Sequence, residues 1–407
     1  MSQKTDWGRG KLSRRDFLKF ISASAMGTLL TSHLAGTSKG PKEALAAPPD
    51  PLVIRAFHPN ATRWDFQTGY YWDFVNQSAV DAMVDRGIRE LTRRSTIVEA
   101  WRLIMASYQT GQRIAIKVNC NGNLSHTVAD PVIDVTVEPI LAILRGLTSI
   151  GIQQTCIDVY DASRFIHTRY IDRIRAVYPD VRMVSNDNVL FGQTGDPDEW
   201  VRFSRAEVNP NCGEYPYAQV YIADVLIRAQ HLINLCILKA HGTGVTGAFK
   251  NHFGTISSPG CMHSHCSYDS NNPIVDIYMN RHILDKTRLI ISDGLFGSWS
   301  HLIYDGGLVH PWNTFGNGAP NSMFFSLDPV ALDSIMYDYI YSETNTRGIY
   351  LEDAHFLHDA AARNLGTHEH RPYSRIQYKE VDASIEPPPS PPDSLPPLPP
   401  RGLRFMR

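Results

Sequence analysis

The sequence predicts an α/β protein: a mostly parallel sheet with helices on both faces, built from βαβ units and interrupted by long irregular insertions. Three observations carry the prediction. Strand-like runs alternate with helical patterns along most of the chain. Those runs are almost continuously apolar, the composition of strands buried on both faces. Polar residues collect where the runs end: Lys117 and Asn119, Asp158 and Asp161, Lys239 and His241, then Asp293. Open α/β sheets bind their ligands at the carboxyl ends of the strands.

In chain order, a strand is predicted at residues 52–57 and helices at 73–93 and 96–108. A strand at 113–119, helix at 137–150, strand at 154–160, helix at 165–178 and strand at 181–185 make a βαβαβ unit, with right-handed crossovers expected. Residues 186–218, rich in Gly, Pro, Asn and Asp, leave the sheet as an insertion. Strands return at 231–238 and 286–292, with a helix at 273–284 between them. A second insertion, 298–321, is dense in Gly, Trp and His. Long insertions of this kind often serve as lids or binding loops. Helices follow at 329–342 and 352–364, the first opened by Asp328 as N-cap with Pro329 at the first helical position. Residues 387–400 are proline-rich and read as an extended polyproline II tail, a spacer or a docking surface. The predicted organisation is a leader at 1–46, an α/β region at 47–385 as one body or two sub-domains, and a tail at 386–407.

The leader carries an address. Ser13-Arg14-Arg15-Asp16-Phe17-Leu18-Lys19 matches the twin-arginine export pattern. A Gly/Ala/Ser/Thr-rich apolar run follows, and Ala44-Leu45-Ala46 is a small-x-small cleavage site. The run is too short and polar to stay as a membrane anchor, and no later stretch is long enough to span. The twin-arginine translocation machinery is therefore an expected partner, and the periplasm or beyond the expected location. That route moves folded proteins, often ones loaded with a cofactor.

The leader holds eight Lys and Arg against three Asp and Glu, which leaves 31 basic and 38 acidic residues beyond it, a net charge of −7. A mildly acidic chain lacks the basic face that sequence-independent nucleic-acid binding needs. The six cysteines are Cys120, Cys156, Cys212, Cys236, Cys261 and Cys266. None forms a C-x-x-C pair, so there is no intrinsic iron–sulfur motif. Cys120, Cys156 and Cys236 lie in or beside strand-like runs and are expected to be buried thiols.

Residues 231–266 are the densest in chemistry. An apolar run ends in Lys239-Ala-His241, and glycines 242, 244 and 247 lead to Lys250-Asn251. Gly242-x-Gly244-x-x-Gly247 has the dinucleotide spacing but lacks the second strand ending in Asp or Glu. Backbone N–H groups at a tight turn, assisted by Lys239 or Lys250, favour an anion instead. Cys261-x-His263-x-His265-Cys266 places four potential ligands in six residues without zinc-finger spacing. Three outcomes stand open there: metal ligation, a Cys261–Cys266 disulfide, or surface histidines with no ligand role. With His241 and Asp293, His263 or His265 would make a nitrogen–oxygen site for zinc, iron or manganese.

Taken together, Lys117-Val-Asn119, Lys239-Ala-His241, Thr246-Gly247-Ala-Phe-Lys250-Asn251-x-x-Gly254, Ser292-Asp293-Gly294 and Asp328-Pro329-Val-Ala-x-Asp333 resemble the domain-of-unknown-function family 362. The resemblance spans roughly residues 52–340. It implies a loose redox association, since some relatives carry or accompany ferredoxin-like iron–sulfur modules, and it brings no reaction with it. This chain departs from those relatives in having no such module. No G-x-S-x-G, H-E-x-x-H or P-loop is present.

The predicted function is an exported, metal- or cofactor-dependent enzyme, of redox type, acting on a small anionic ligand. Its site is built from Lys117, Asp161, Lys239, His241, Lys250, Asn251, His263 and Asp293. Lys117, Asp161, Lys239 and His241 are the catalytic set, and Gly244, Gly247, Lys250 and Asn251 hold the cofactor or anion. His263, His265 and Asp293 are the metal set. The rival is a protein that binds without turnover: a metal or cofactor carrier, or a partner subunit of an exported redox complex.

Overall fold

A computed structural model describes residues 50–205, 219–260, 266–300 and 307–385. The leader, Cys212, Cys261, His263, His265 and the proline-rich tail lie outside the described residues.

The strands are β1 (Leu52–Phe57), β2 (Ile114–Lys117), β3 (Ile157–Tyr160), β4 (Arg182–Val184), β5 (His231–His241), β6 (Gly244–Val245), β7 (Thr287–Ser298), β8 (Ser322–Ser326) and β9 (Gln377–Asp382). They share one sheet in the order β4-β3-β2-β5-β7-β8-β1-β9, with β6 turned back against β5. Along that path β8 alone runs against the rest; the other pairings are parallel. The predicted α/β class, a mostly parallel sheet with helices, is therefore what the chain adopts.

Helices α1 (Gln77–Thr92), α2 (Ile97–Ile104), α3 (Val137–Ser149) and α4 (Thr168–Val177) cover one face. Helices α5 (Asp224–Arg228), α6 (Pro273–Tyr278), α7 (Arg281–Leu284), α8 (Pro329–Thr346) and α9 (His355–Ala362) lie on the other. Strand alternation feeds both cores, since successive side chains point to opposite faces. In β5, Ile233, Leu235 and Ile237 enter the first core, while Leu232, Cys236, Leu238 and Ala240 enter the second. Cys120, Cys156 and Cys236 are buried, as expected.

Local sequence sets the element ends. The Asn76 side chain accepts from Ser78 N, so α1 starts at Gln77 and not at residue 73. Asp328 caps α8 by accepting from Ala331 N, with Pro329 in the first turn, as predicted. The predicted helix at 273–284 is two helices, because Asn280 leaves helical geometry and caps α7. Strands β6, β8 and β9 and helix α5 were not predicted. Strand β8 hides at the end of an irregular stretch, and its five residues show no period that separates strand from buried helix. Strands β5 and β7 run past their predicted ends, which puts Lys239 and His241 inside a strand and Asp293 in mid-strand.

Candidate functional site

The parallel strands carry their polar residues to one edge of the sheet, where two clusters form. The first begins with Lys117, the last residue of β2 and 0% exposed. Its ammonium donates to Val118 O, to Asp161 Oδ2 at 3.2 Å and to Asn251 Oδ1 at 3.3 Å. Asp161, just beyond β3, also accepts from Cys120 N at 3.2 Å and from Ser163 N and Oγ at 3.0 Å. Asn251 Nδ2 donates to Asn234 Oδ1 at 2.7 Å, and Asn234 Nδ2 donates to Ala248 O at 2.9 Å. Burial, with Lys117 nearby, holds His252 well below the ordinary imidazole range. Neutral His252 keeps Nε2 3.2 Å from Asn234 Nδ2 and Nδ1 3.0 Å from Thr255 Oγ1. The cluster is a closed polar network that holds residues 247–255 against the sheet.

The same segment is held from behind by α8. Asp333 Oδ1 accepts from Ala248 N at 2.6 Å and Oδ2 from Phe249 N at 3.2 Å. Burial pushes the Asp333 carboxyl up to about 7, against those two N–H groups. Gly247 is required there: a Cβ would fall 1.9 Å from Asp333 Oδ1. The Thr-Gly-Ala-Phe-Lys-Asn motif and the Asp-Pro-Val-Ala-Leu-Asp motif are thus two halves of one clamp. Gly244 forms the turn after β5 with φ of +88°.

The second cluster gathers around Lys239, which is 5% exposed. Its ammonium makes no hydrogen bond with any described residue. Burial brings it down to about 8, with Asp134 opposing that shift and Arg164 adding to it. Lys250, also buried, lies with its ammonium 3.7 Å from the Phe253 ring centroid. Burial takes it down to about 7; Cys266 opposes the shift, and Lys239 and Arg164 add to it. Three cations are therefore close enough to feel one another. Asp134 stands beside them, pushed up to about 6 by burial although Arg169 Nη2 donates to it at 3.0 Å. Thr246 Oγ1 and Asn119 Oδ1 are buried polar atoms without a partner among the described residues.

The other predicted residues go elsewhere. His241 is half-buried at the end of β5, and its Nδ1 accepts from Thr243 N at 3.2 Å. Asp293 Oδ2 accepts from Thr136 N at 2.7 Å and Thr136 Oγ1 at 3.0 Å, and Oδ1 accepts from Leu295 N at 2.9 Å. Asp293 thus fastens the start of α3. Asp158 does not end its strand: it lies near the start of β3 and pairs with Arg113 and Arg182. Among the described residues no three His, Cys, Asp or Glu side chains are arranged to hold an ion. Sequence reasoning missed Asn234, Asp134, Arg169 and the role of Asp333. Asn234 had a signal: a lone amide inside the apolar run 232–238 must be hydrogen-bonded if buried.

This is an α/β protein with a cation-lined edge at the carboxyl ends of its parallel strands. Residues 193–338 match the family described as Domain of unknown function (DUF362), a span holding Lys239, His241, Lys250, Asn251, Asp293 and Asp333. Among solved structures, the chain is similar to the lactate racemase apoprotein from Thermoanaerobacterium thermosaccharolyticum, with 12% identity and a TM-score of 0.31. The likeness covers 52% of this chain and 48% of that one, so the chain spans about half of its length. No curated protein matches.

Proposed function

We propose that the sheet edge binds a small anionic ligand, with Lys239 as the principal cation and Lys250 and Arg164 assisting. One observation carries this: Lys239 is 5% exposed, and its ammonium makes no hydrogen bond with a described residue. A buried cation without a partner is costly, and an anion would supply what the chain does not. The turn at 247–249 is not part of the anion cradle, since Asp333 already takes the N–H groups of Ala248 and Phe249.

The test is calorimetric titration of the full chain with inorganic phosphate, pyrophosphate and a small dicarboxylate, at low and high salt. Lys239→Met should weaken the best-bound probe at least tenfold while the fold stays intact. Equal affinity in both proteins sinks the reading.

The twin-arginine pattern at residues 13–19 supports export, with the translocation machinery as a partner. Replacing Arg14 and Arg15 by Lys should trap the chain in the cytoplasm. The export route also supports a metal- or cofactor-dependent enzyme of redox type, with zinc, iron or manganese held through His263 or His265. Elemental analysis and an absorption spectrum of the native exported protein test it: stoichiometric metal should vanish in His263→Ala with His265→Ala. Turnover of the bound anion then separates an enzyme from a carrier or a partner subunit of an exported redox complex.

A further inference from the structure

Apart from the sheet edge, three imidazoles stand in a row where the segment after α9 runs along α8. His358 on α9 and His368 have ring centroids 4.8 Å apart, with planes at 77°. His368 and His370 are also 4.8 Å apart, with planes at 81°. Two imidazoles bound to one ion at the usual ~2.0–2.1 Å Zn–N distance bring their centroids to roughly 5 Å.

The orientation of two of the rings, His368 and His370, is set by oxygen partners. Thr367 N donates to Asp328 Oδ2 at 3.0 Å and Arg371 N to Asp338 Oδ2 at 2.9 Å, which fixes the segment at both ends. Between them, His368 Nδ1 lies 2.9 Å from Ser334 Oγ. Ser334 gives its single proton to Val330 O at 2.8 Å, so it accepts from His368, and the proton of that ring is on Nδ1. His370 Nδ1 lies 2.6 Å from Asp338 Oδ1, a carboxylate that can only accept from it when ionised. In both rings Nε2 makes no hydrogen bond with any described residue. Histidines that ligate metals have this form: one nitrogen donates to a fixed oxygen and the other is presented to the ion.

We propose that His358, His368 and His370 form a binding site for a divalent first-row transition ion of the zinc class. Ser334 and Asp338 are positioning residues that hold the two rings of the segment. As they stand, the three imidazoles are not arranged to hold an ion. His358, with its side chain 42% exposed and a 3.4 Å contact to Asp353, turns to complete the set. The bound ion would tie the segment between α9 and β9 to both helices.

Zinc titrated into the metal-stripped full chain tests the site, followed by calorimetry and by melting temperature. One equivalent should bind at these histidines and raise the melting temperature, since a ligand of the folded state stabilises it. The equivalent should be lost in His368→Ala with His370→Ala, fall at least tenfold in affinity in His358→Ala, and fall about 10–100-fold in Asp338→Asn. It should persist in His263→Ala with His265→Ala, which separates this site from any metal held near the sheet edge. Unchanged stoichiometry and affinity in the His368/His370 double variant, or no zinc bound by the full chain, overturns the proposal. If the double variant folds poorly, His370→Gln, at a side chain 46% exposed, carries the same comparison.

Discussion

Two lysines end up buried at the same edge of one sheet, and the chain treats them differently. Lys117 closes β2 with three oxygen partners: a backbone carbonyl, the Asp161 carboxylate and the Asn251 amide. Lys239, near the end of the neighbouring β5, has no hydrogen-bond partner among the described residues, and the described charges that act with it are Asp134, Lys250 and Arg164. Taking an ammonium out of water is expensive unless paired and hydrogen-bonded. Lys117 is therefore a structural rivet, whereas Lys239 is a cost that folding alone does not explain. Burial by itself says little about a charged side chain; its partners decide whether it serves stability or ligand.

The comparison breaks most visibly at Lys117. Lys117→Met leaves the Asp161 carboxylate, which is 3% exposed, without its counter-charge. Removing one member of a buried pair costs about 3–5 kcal/mol, so urea unfolding should show a loss of that size. A smaller loss follows in Gly254→Ala. A Cβ there would lie 2.5 Å from Lys117 Nζ and 2.6 Å from Asp161 Oδ1, so the pair must move. About 1–3 kcal/mol is expected, read by the same unfolding curve. A wild-type curve for either variant would mean that the first cluster is not a rivet.

Lys239→Met should do the opposite. Replacing a buried cation that has no hydrogen-bond partner among the described residues with an apolar chain is expected to raise stability by about 1 kcal/mol, at the expense of anion binding. A destabilised variant would show that Lys239 has a structural partner after all, and the contrast between the lysines would dissolve.

How much of this the sequence discloses follows the same division. Lys117 and Lys239 are legible because they sit where apolar runs stop, and Lys250 and Asn251 because they follow the glycine turn. Their partners are not, because tertiary contacts bring them from far along the chain. Asp333 reaches Ala248 across 85 residues, and Asp161 reaches Lys117 across 44. No period or spacing encodes those distances. The parallel strands other than β9 are readable from their apolar runs, whereas β8 is not: its five residues are strand only because β7 and β1 flank them. Asp293 shows the limit most plainly. A carboxylate near a strand end looks like a ligand in sequence, yet its oxygens are taken by Thr136 and Leu295.

The remaining expected effects are in pH, and they run in opposite directions for Lys239 and Asp333. Lys239, at about 8 when folded against 10.5 ordinarily, binds fewer protons folded than unfolded between those values. Stability therefore rises with pH across about 8 to 10.5, and Lys239→Met should flatten that rise. Asp333, at about 7 when folded against 3.8, binds more protons folded than unfolded in its window. Stability falls as pH climbs from 3.8 to about 7, and Asp333→Asn should remove that fall. Ligand binding adds a third slope. Lys250 loses its charge near 7 and Lys239 near 8, so anion affinity should decline as pH rises through both. Calorimetry at pH 6 and pH 9 checks it. An affinity that does not change between them would show that neither lysine supplies the charge the anion meets, even if the unfolding curves bend as expected.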